Sequence, residues 1–388
     1  MVSRSLLRPA LALATTAGLT ATALGHPARQ TQAAGASIPI GVVADLTGQG
    51  ASYGVSIADG AKLAASLLNK GGGVNGHQIA LSVDDAASVN SQVINLYQQD
   101  ANNKRVLAII GPTLSSEAFT ADPVAQGLGV PVVATSNTSP GIPQIGNYIF
   151  RMGLGEAAVI PLTMKIAEKH LHFKKAAIIY GNDNAFTKSD GQIFAAVAKK
   201  TGLTVVDTET YATGDKDFST QLTKMKNAKP DVILCGALQK EAVPILVQAR
   251  QLGIPTSVHF IGGNGFNTPI VISGAGKAAE GAIEGTAWFA NGMSTRNQTF
   301  VKAYKAAYGK GPDQLAAQAY DAVNIVADAA KKANTTSNRV ALRGALSMLK
   351  NVPVVTGLTG TFSFTPDRDA GESGTVQIVK NGQYVQYT

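Results

Sequence analysis

Apolar and polar positions along the chain alternate between two rhythms. Short runs rich in Val and Ile predict strands at Pro39–Ala44, Ile79–Val83, Val106–Ile110, Val132–Ala134, Ala176–Tyr180, Thr204–Val206, Val232–Cys235 and Phe260–Gly262. Between them, apolar residues at helical spacing predict helices at Tyr53–Asn69, Ser91–Asn102, Ser115–Gly127, Glu156–His170, Asn184–Lys200, Phe218–Asn227 and Glu241–Leu252. Near-continuous apolar strands separated by such helices need cover on both faces, so the fold class is α/β, with doubly wound parallel sheets. After Trp288 the rhythm changes. Asn297–Tyr308, Gln314–Lys332 and Arg339–Leu349 read as helices in succession with no clear strand between them. They need a sheet face to cover, and the first sheet is the one available, so the chain is expected to return to its first domain. Late strands are expected at Gly360–Phe364 and Val376–Val379.

Residues 1–36 stand apart. Arg4 and Arg8, with no acid near them, precede the small-residue apolar run from Leu11 to Leu24. The run is too short and too rich in Thr and Ala for a bilayer span of ~20 strongly apolar residues, and it reads as an export signal. Candidate cleavage points follow Gly25 or fall around Ala33 to Ala36, with no cysteine near either to carry a lipid. No later segment offers ~18 uninterrupted apolar residues.

Composition narrows the chemistry. A chain of 388 residues that is 45% hydrophobic and 15% charged has globular composition and room for two or three domains. Its single cysteine, Cys235, excludes an intrachain disulfide, a Cys-rich zinc site and an iron–sulfur cluster built from this chain alone. The net charge of +8 suggests anionic partners, but removing the leader lowers Lys+Arg from 33 to 30 against 25 acids and leaves +5. The remaining lysines are scattered and not interleaved with aromatics, so a nucleic-acid partner is not expected.

Three motifs imitate enzyme sites. Gly71-Gly-Gly-Val-Asn-Gly76 fits a dinucleotide fingerprint but follows a helix and precedes a strand, the reverse of the order that places a pyrophosphate on a helix N-terminus. Gly50-Ala-Ser-Tyr-Gly54 fits a nucleophile elbow, yet Ser52 comes well after its strand, in a Gly-rich loop or helix start. His170 and His172 close a helix among lysines with no evident third ligand. No catalytic residue, metal or cofactor is therefore expected.

A small-molecule cleft is better supported. Ligands of doubly wound sheets sit beyond the carboxyl ends of the strands. There the chain places Gly111-Pro-Thr-Leu-Ser-Ser-Glu117 and Thr135-Ser-Asn-Thr-Ser-Pro140. Helix-start amides with Ser115, Ser116 and Thr138 hydroxyls make a donor-rich pocket for a carboxylate without a formal cation. Capping accounts for each residue singly, whereas two such loops on neighbouring strands point to a site.

At these residues the sequence resembles the leucine/isoleucine/valine-binding proteins, extracytoplasmic substrate-binding subunits of ABC transporters with the type I periplasmic binding fold. The resemblance runs from about Ile38 to the C-terminus. It is carried by Ile40-Gly-Val-Val-Ala-Asp-Leu-Thr-Gly48, Asn69-Lys-Gly-Gly-Gly-Val-Asn-Gly76, Asp84-Asp85, Ile110-Gly-Pro112, the segment from Gly129 to Pro140, Phe150-Arg151, Asp217-Phe218-Ser219 and Ala279-Glu-Gly281, in that order and spacing.

The resemblance implies two lobes joined by three crossovers, near Arg151–Glu156, Gly285–Asn291 and Val355–Gly360. Lobe 1 would be 37–153 plus 290–355, and lobe 2 would be 154–289 plus 356–388. A monomeric receptor is expected, with a small-molecule ligand and a membrane permease as partners. The resemblance further implies that Ser115, Ser136 and Thr138 hold the ligand's carboxylate, with Ser116 and Asn137 beside them and Tyr53 as an aromatic wall. Phe186 and Leu238 fall where the family commonly has tyrosines, which makes that wall more apolar. Asn264 stands where amino-acid binders commonly place an acid against the ligand's ammonium. Either Asp183 or another acid takes over that role, or the ligand is an aromatic or other organic acid without an ammonium. Asn264 also reads as a turn residue between glycines.

Overall fold

A computed structural model describes residues 37–292 and 294–388. The expected leader lies outside the described residues.

Strands β1 (Ile38–Ala44), β2 (Ile79–Asp85), β3 (Ala108–Ile110), β4 (Val132–Ala134) and β5 (Ile149–Arg151) form one sheet in the order β2-β1-β3-β4-β5. All its pairings are parallel. Helices α1 (Ala51–Lys70), α2 (Asn90–Asn102) and α3 (Ser115–Leu128) make the crossovers. The two faces of β1 explain its unbroken apolar run. Ile38, Ile40 and Val42 enter the core shared with α1, while Val43 enters the core shared with α2 and α3.

The chain then runs α4 (Glu156–Leu171), β6 (Lys175–Gly181), α5 (Ala185–Thr201), β7 (Thr204–Tyr211), α6 (Ser219–Ala228), β8 (Val232–Gly236), α7 (Gln239–Gln251), β9 (His259–Gly262), α8 (Pro269–Ala275) and β10 (Ile283–Thr286). It returns through α9 (Thr295–Tyr308), α10 (Gln314–Lys332), α11 (Arg339–Ser347) and the short pair β11 (Val352–Pro353) and β12 (Thr361–Phe362). It ends in β13 (Thr375–Lys380) and β14 (Gln383–Gln386). The second sheet has the order β14-β13-β10-β9-β8-β6-β7. Its last two strands are antiparallel, so one edge departs from the all-parallel expectation.

The expected return to the first sheet is real. Val323 and Val326 of α10 share the core of Ile38 and Val42. Gly60 makes the close approach possible, because a Cβ there would lie 2.1 Å from the Ala316 carbonyl oxygen of α10. Five of these elements escaped the sequence reading. β5 has three residues, β10 carries the charged Glu284 in an Ile-Glu-Gly-Thr run, α8 has seven residues, β11 has two, and β14 is a polar edge strand. β7 also extends beyond Val206 to Tyr211, its mostly exposed and half-buried positions masking an edge strand.

Three joins link the two sheets. The first runs from β5 to α4 and the second from β10 to α9. The third was expected at Val355–Gly360, and that position needs correction. Phe362 and Phe364 still belong to the first core, with the Phe364 ring centroid 5.1 Å from that of Phe150. The segment from residue 356 therefore begins on the first core, and the chain reaches the second sheet only at β13. Polar pins fix the joins to one another. Arg151 at the end of β5 makes a bidentate pair with Asp369, at 2.8 and 2.6 Å, and the Gly357 amide donates to the Ala287 carbonyl at 2.7 Å.

Candidate functional site

Between the carboxyl ends of the two sheets lies a cavity. One wall comes from the loops after β3 and β4, with Thr113, Leu114, Ser115, Ser136 and Thr138. The other comes from the second sheet, with Phe186 at the start of α5, Leu238 before α7, and Asn264 and Gly265 after β9. Tyr53 of α1 and Gln314, Leu315 and Gln318 of α10 complete the lining.

The donor wall follows from local chain geometry. β3 ends at Ile110 and α3 starts at Ser115, which lines the cavity, so the first amides of α3 have no earlier helical carbonyl to meet. Hydroxyl accounting separates the candidates. Ser136 Oγ donates to the Thr113 carbonyl at 2.7 Å, and Thr138 Oγ1 donates to Glu156 Oε1 at 3.1 Å. Ser115 Oγ accepts from the Ser139 amide at 3.3 Å and donates to no acceptor among the described residues. Just inside α3, Glu117 Oε2 accepts from the Leu114 amide at 2.8 Å, and the Asp45 carboxyl lies nearby. Burial, and then the Asp45 charge, push the Glu117 carboxyl up. The acid thus stays neutral and places no negative charge at the helix start where an anion would rest.

Tyr53 bridges the two walls. Its phenol donates to the Gly265 carbonyl and accepts from the Gln239 amide, both at 2.8 Å. Phe186 and Leu238 pack in one apolar cluster with Tyr53, Leu114 and Leu315, so first-sheet and second-sheet side chains meet across the cleft. At the rim, Gln49 Nε2 donates to Glu241 and Lys240 Nζ donates to the Gly48 carbonyl, at 2.5 and 2.6 Å.

Of the expected site residues, Tyr53, Ser115, Ser136, Thr138, Phe186, Leu238 and Asn264 all line the cavity. Three do not. Ser116 sits one position into α3, and Asn137 is buried behind the loop with its Nδ2 donating to the Pro112 carbonyl at 2.8 Å. Asp183 is exposed. Its carboxylate accepts from the Thr213 amide and hydroxyl at 2.7–3.1 Å, holding the loop after β7, so it is not the acid that replaces the missing charge.

The acid beside Asn264 is Glu156, which the sequence reading placed only as a helix start. Its Oε1 accepts from the Asn264 amide at 2.9 Å, from Asn264 Nδ2 at 2.8 Å and from Thr138, while its buried Oε2 has no partner among the described residues. Burial pushes this carboxyl up to about 7, against the pull of the Asn264 and Thr138 donors and the Arg151 charge. Sequence reasoning also missed Gln314 and Gln318, which reach the cavity only because α10 returns to the first sheet. A signal existed, since both are polar residues on the apolar stripe of α10.

Two α/β layers meeting over a cleft of hydroxyls, helix-start amides and apolar walls are the architecture of a bilobed binding protein. A family model described as periplasmic binding protein matches residues 37–383, and the chain belongs to that family. It is 28% identical over 339 residues to the Leu/Ile/Val-binding protein homolog 3 of Brucella melitensis, which covers 86% of this chain and 89% of the relative. The structure of the branched-chain amino acid transporter substrate-binding protein LivJ from Streptococcus pneumoniae, in complex with isoleucine, superposes with a TM-score of 0.82. That match has 28% identity and covers 90% of this chain and 97% of the other. A solute-binding protein of an ABC transporter from Rhodopseudomonas palustris, in complex with 3,4-dihydroxybenzoic acid, shares the fold at a TM-score of 0.79 and 24% identity, covering 90% and 95%. The fold is that of type I periplasmic binding proteins, with two lobes joined by three crossovers.

Proposed function

We infer that the chain is an exported, monomeric solute receptor. It closes its lobes on a small carboxylate, a branched-chain amino acid in the first instance, and delivers it to an ABC permease without chemical change. The observation that carries this reading is the Ser115 wall, with a free hydroxyl proton and helix-start amides facing apolar side chains of the other sheet. Such donors hold a carboxylate without a counter-charge, and the apolar wall takes its side chain. The isoleucine complex of LivJ supports the amino-acid class. The Arg4 and Arg8 leader supports export. The lobes follow the two cores, 37–153 with 290–370 and 154–289 with 371–388, since Ala370 is the last residue packed on the first core.

Glu156 answers the ammonium question in this reading. Its carboxylate lies directly behind Asn264 and supplies the negative charge that the neutral amide lacks. A second reading, an aromatic acid without an ammonium, is favoured by Phe186, which adds a ring and no hydroxyl to the wall. The experiment is a thermal-shift panel of branched-chain, polar and aromatic acids on the purified protein, repeated on Asn264→Asp. The first reading expects stabilisation by branched-chain amino acids, and Asn264→Asp should favour amino acids over plain acids. Stabilisation by no carboxylate at all would remove the reading.

A further inference from the structure

Gln314 and Gln318 lie four residues apart on α10 and so share one face of it. That face is otherwise Leu315, Ala319, Ala322, Val323 and Val326, all within the first core. The two carboxamides differ sharply in their partners. Gln314 Oε1 accepts from Asn267 Nδ2 at 2.9 Å, Thr286 Oγ1 at 2.6 Å and the Ala287 amide at 2.8 Å, while its Nε2 donates to Asn264 Oδ1 at 3.2 Å. It holds the second crossover and the Asn264 loop together. Gln318 is only 1% exposed, yet its buried Oε1 has no partner and its carboxamide makes no hydrogen bond among the described residues. It lines the same cavity as Ser115 and Thr138.

A buried carboxamide without partners is costly, and native interiors rarely keep one unless something else completes it. An aliphatic residue would suit an aliphatic side chain better at this position. We propose that Gln318 is a specificity-determining residue that hydrogen-bonds a hydroxyl on the ligand's side chain or ring, so that the favoured ligands are hydroxylated small carboxylates. A carboxamide offers two donors and one acceptor, and no neighbour here fixes which end points inward. A hydroxyl both donates and accepts and therefore satisfies either orientation. The cavity then has two polar ends of different origin, the α3 start for the carboxylate and α10 for the hydroxyl, with apolar walls between. This inference rests on the carboxylate reading above and narrows it.

The test uses pairs that differ only by hydroxylation or come close to it. Calorimetric titration of the purified protein compares L-threonine with its near-isostere L-valine, and 3,4-dihydroxybenzoate with benzoate. In whichever pair binds, the hydroxylated member is expected to bind about 10-fold tighter or more. Gln318→Leu should abolish or reverse that preference, and its melting temperature without added ligand should not fall, because the substitution removes an unpaired buried amide. Gln318→Met serves the same purpose if the leucine variant fails to fold. Equal affinity within each pair, or a preference that survives the substitution, would overturn the inference while leaving carboxylate binding intact. If none of the four acids binds while another carboxylate of the thermal-shift panel does, this inference falls alone, and if no carboxylate binds at all, the carboxylate reading falls with it.

Discussion

The two walls of the cleft are built on opposite principles. The first-sheet wall presents hydroxyls and backbone amides at the start of α3, where the nearby acid Glu117 is kept neutral by burial and by Asp45. The second-sheet wall is apolar at Phe186 and Leu238, and its polarity sits one layer back, in Glu156 behind Asn264. On the proposed reading, the first wall would recognise an anion by fixed dipoles and the second would sort guests by size, ring and charge. Recognition by fixed dipoles should be robust to pH, whereas a buried carboxyl near 7 should not be.

The comparison breaks most severely if charge is placed on the donor wall. Ser115→Asp puts a carboxylate where the guest's would lie, and carboxylate affinity should fall about 100-fold or more by titration calorimetry. A smaller loss would mean that the guest's acid group binds elsewhere.

The next effect separates the two walls. Glu156→Gln should cost amino acids about 10–100-fold in affinity and leave plain acids within about 3-fold. Wild-type amino-acid affinity should also decline as pH falls through about 7, where Glu156 takes up its proton, and the glutamine variant should be flat. Stability carries the opposite sign. A buried carboxyl held protonated above its usual 4.5 favours folding most at low pH and loses that advantage as pH rises from 4.5 to about 7. Glu156→Gln should flatten that decline in urea melts, and an unchanged slope would show that Glu156 titrates like an exposed acid.

Much of the first wall was legible because its chemistry is local. Ser115, Ser136 and Thr138 follow directly from strands whose apolar runs are unmistakable, and the end of a doubly wound strand is where a ligand site belongs. The second wall was harder to read. Phe186 and Leu238 came from the family resemblance alone, while Asp183, three residues before Phe186, points away to Thr213, and Glu156 acts through a loop more than a hundred residues away. Only tertiary structure brings that helix start to Asn264. Gln314 and Gln318 lay within a correctly placed helix, yet their inward side depends on how α10 docks against α1. In the fold, the short β5 and the Glu-bearing β10 escaped because pairing and burial, rather than propensity, make them strands.

A smaller effect concerns the bridge between the walls. Tyr53→Phe removes the bonds to the Gly265 carbonyl and Gln239 amide while keeping the ring, so stopped-flow dissociation should quicken about 3–10-fold. Unchanged dissociation would show that the phenol does not hold the lobes together. The smallest effect belongs to Asp183→Asn. It loosens an exposed loop contact, with affinity within about 2-fold and stability lowered by less than about 1 kcal/mol. A large loss of amino-acid affinity would restore Asp183 as a ligand residue.

The central claim is that the start of α3 captures a carboxylate, and calorimetric titration of the purified protein with L-isoleucine and L-isoleucinamide tests it most directly. The two differ only in whether the carbonyl carbon bears a charged oxygen or a neutral amide, with the ammonium and side chain held constant. The account predicts saturable binding of isoleucine and at least about 100-fold weaker binding of the amide. Comparable affinity for the two would contradict it.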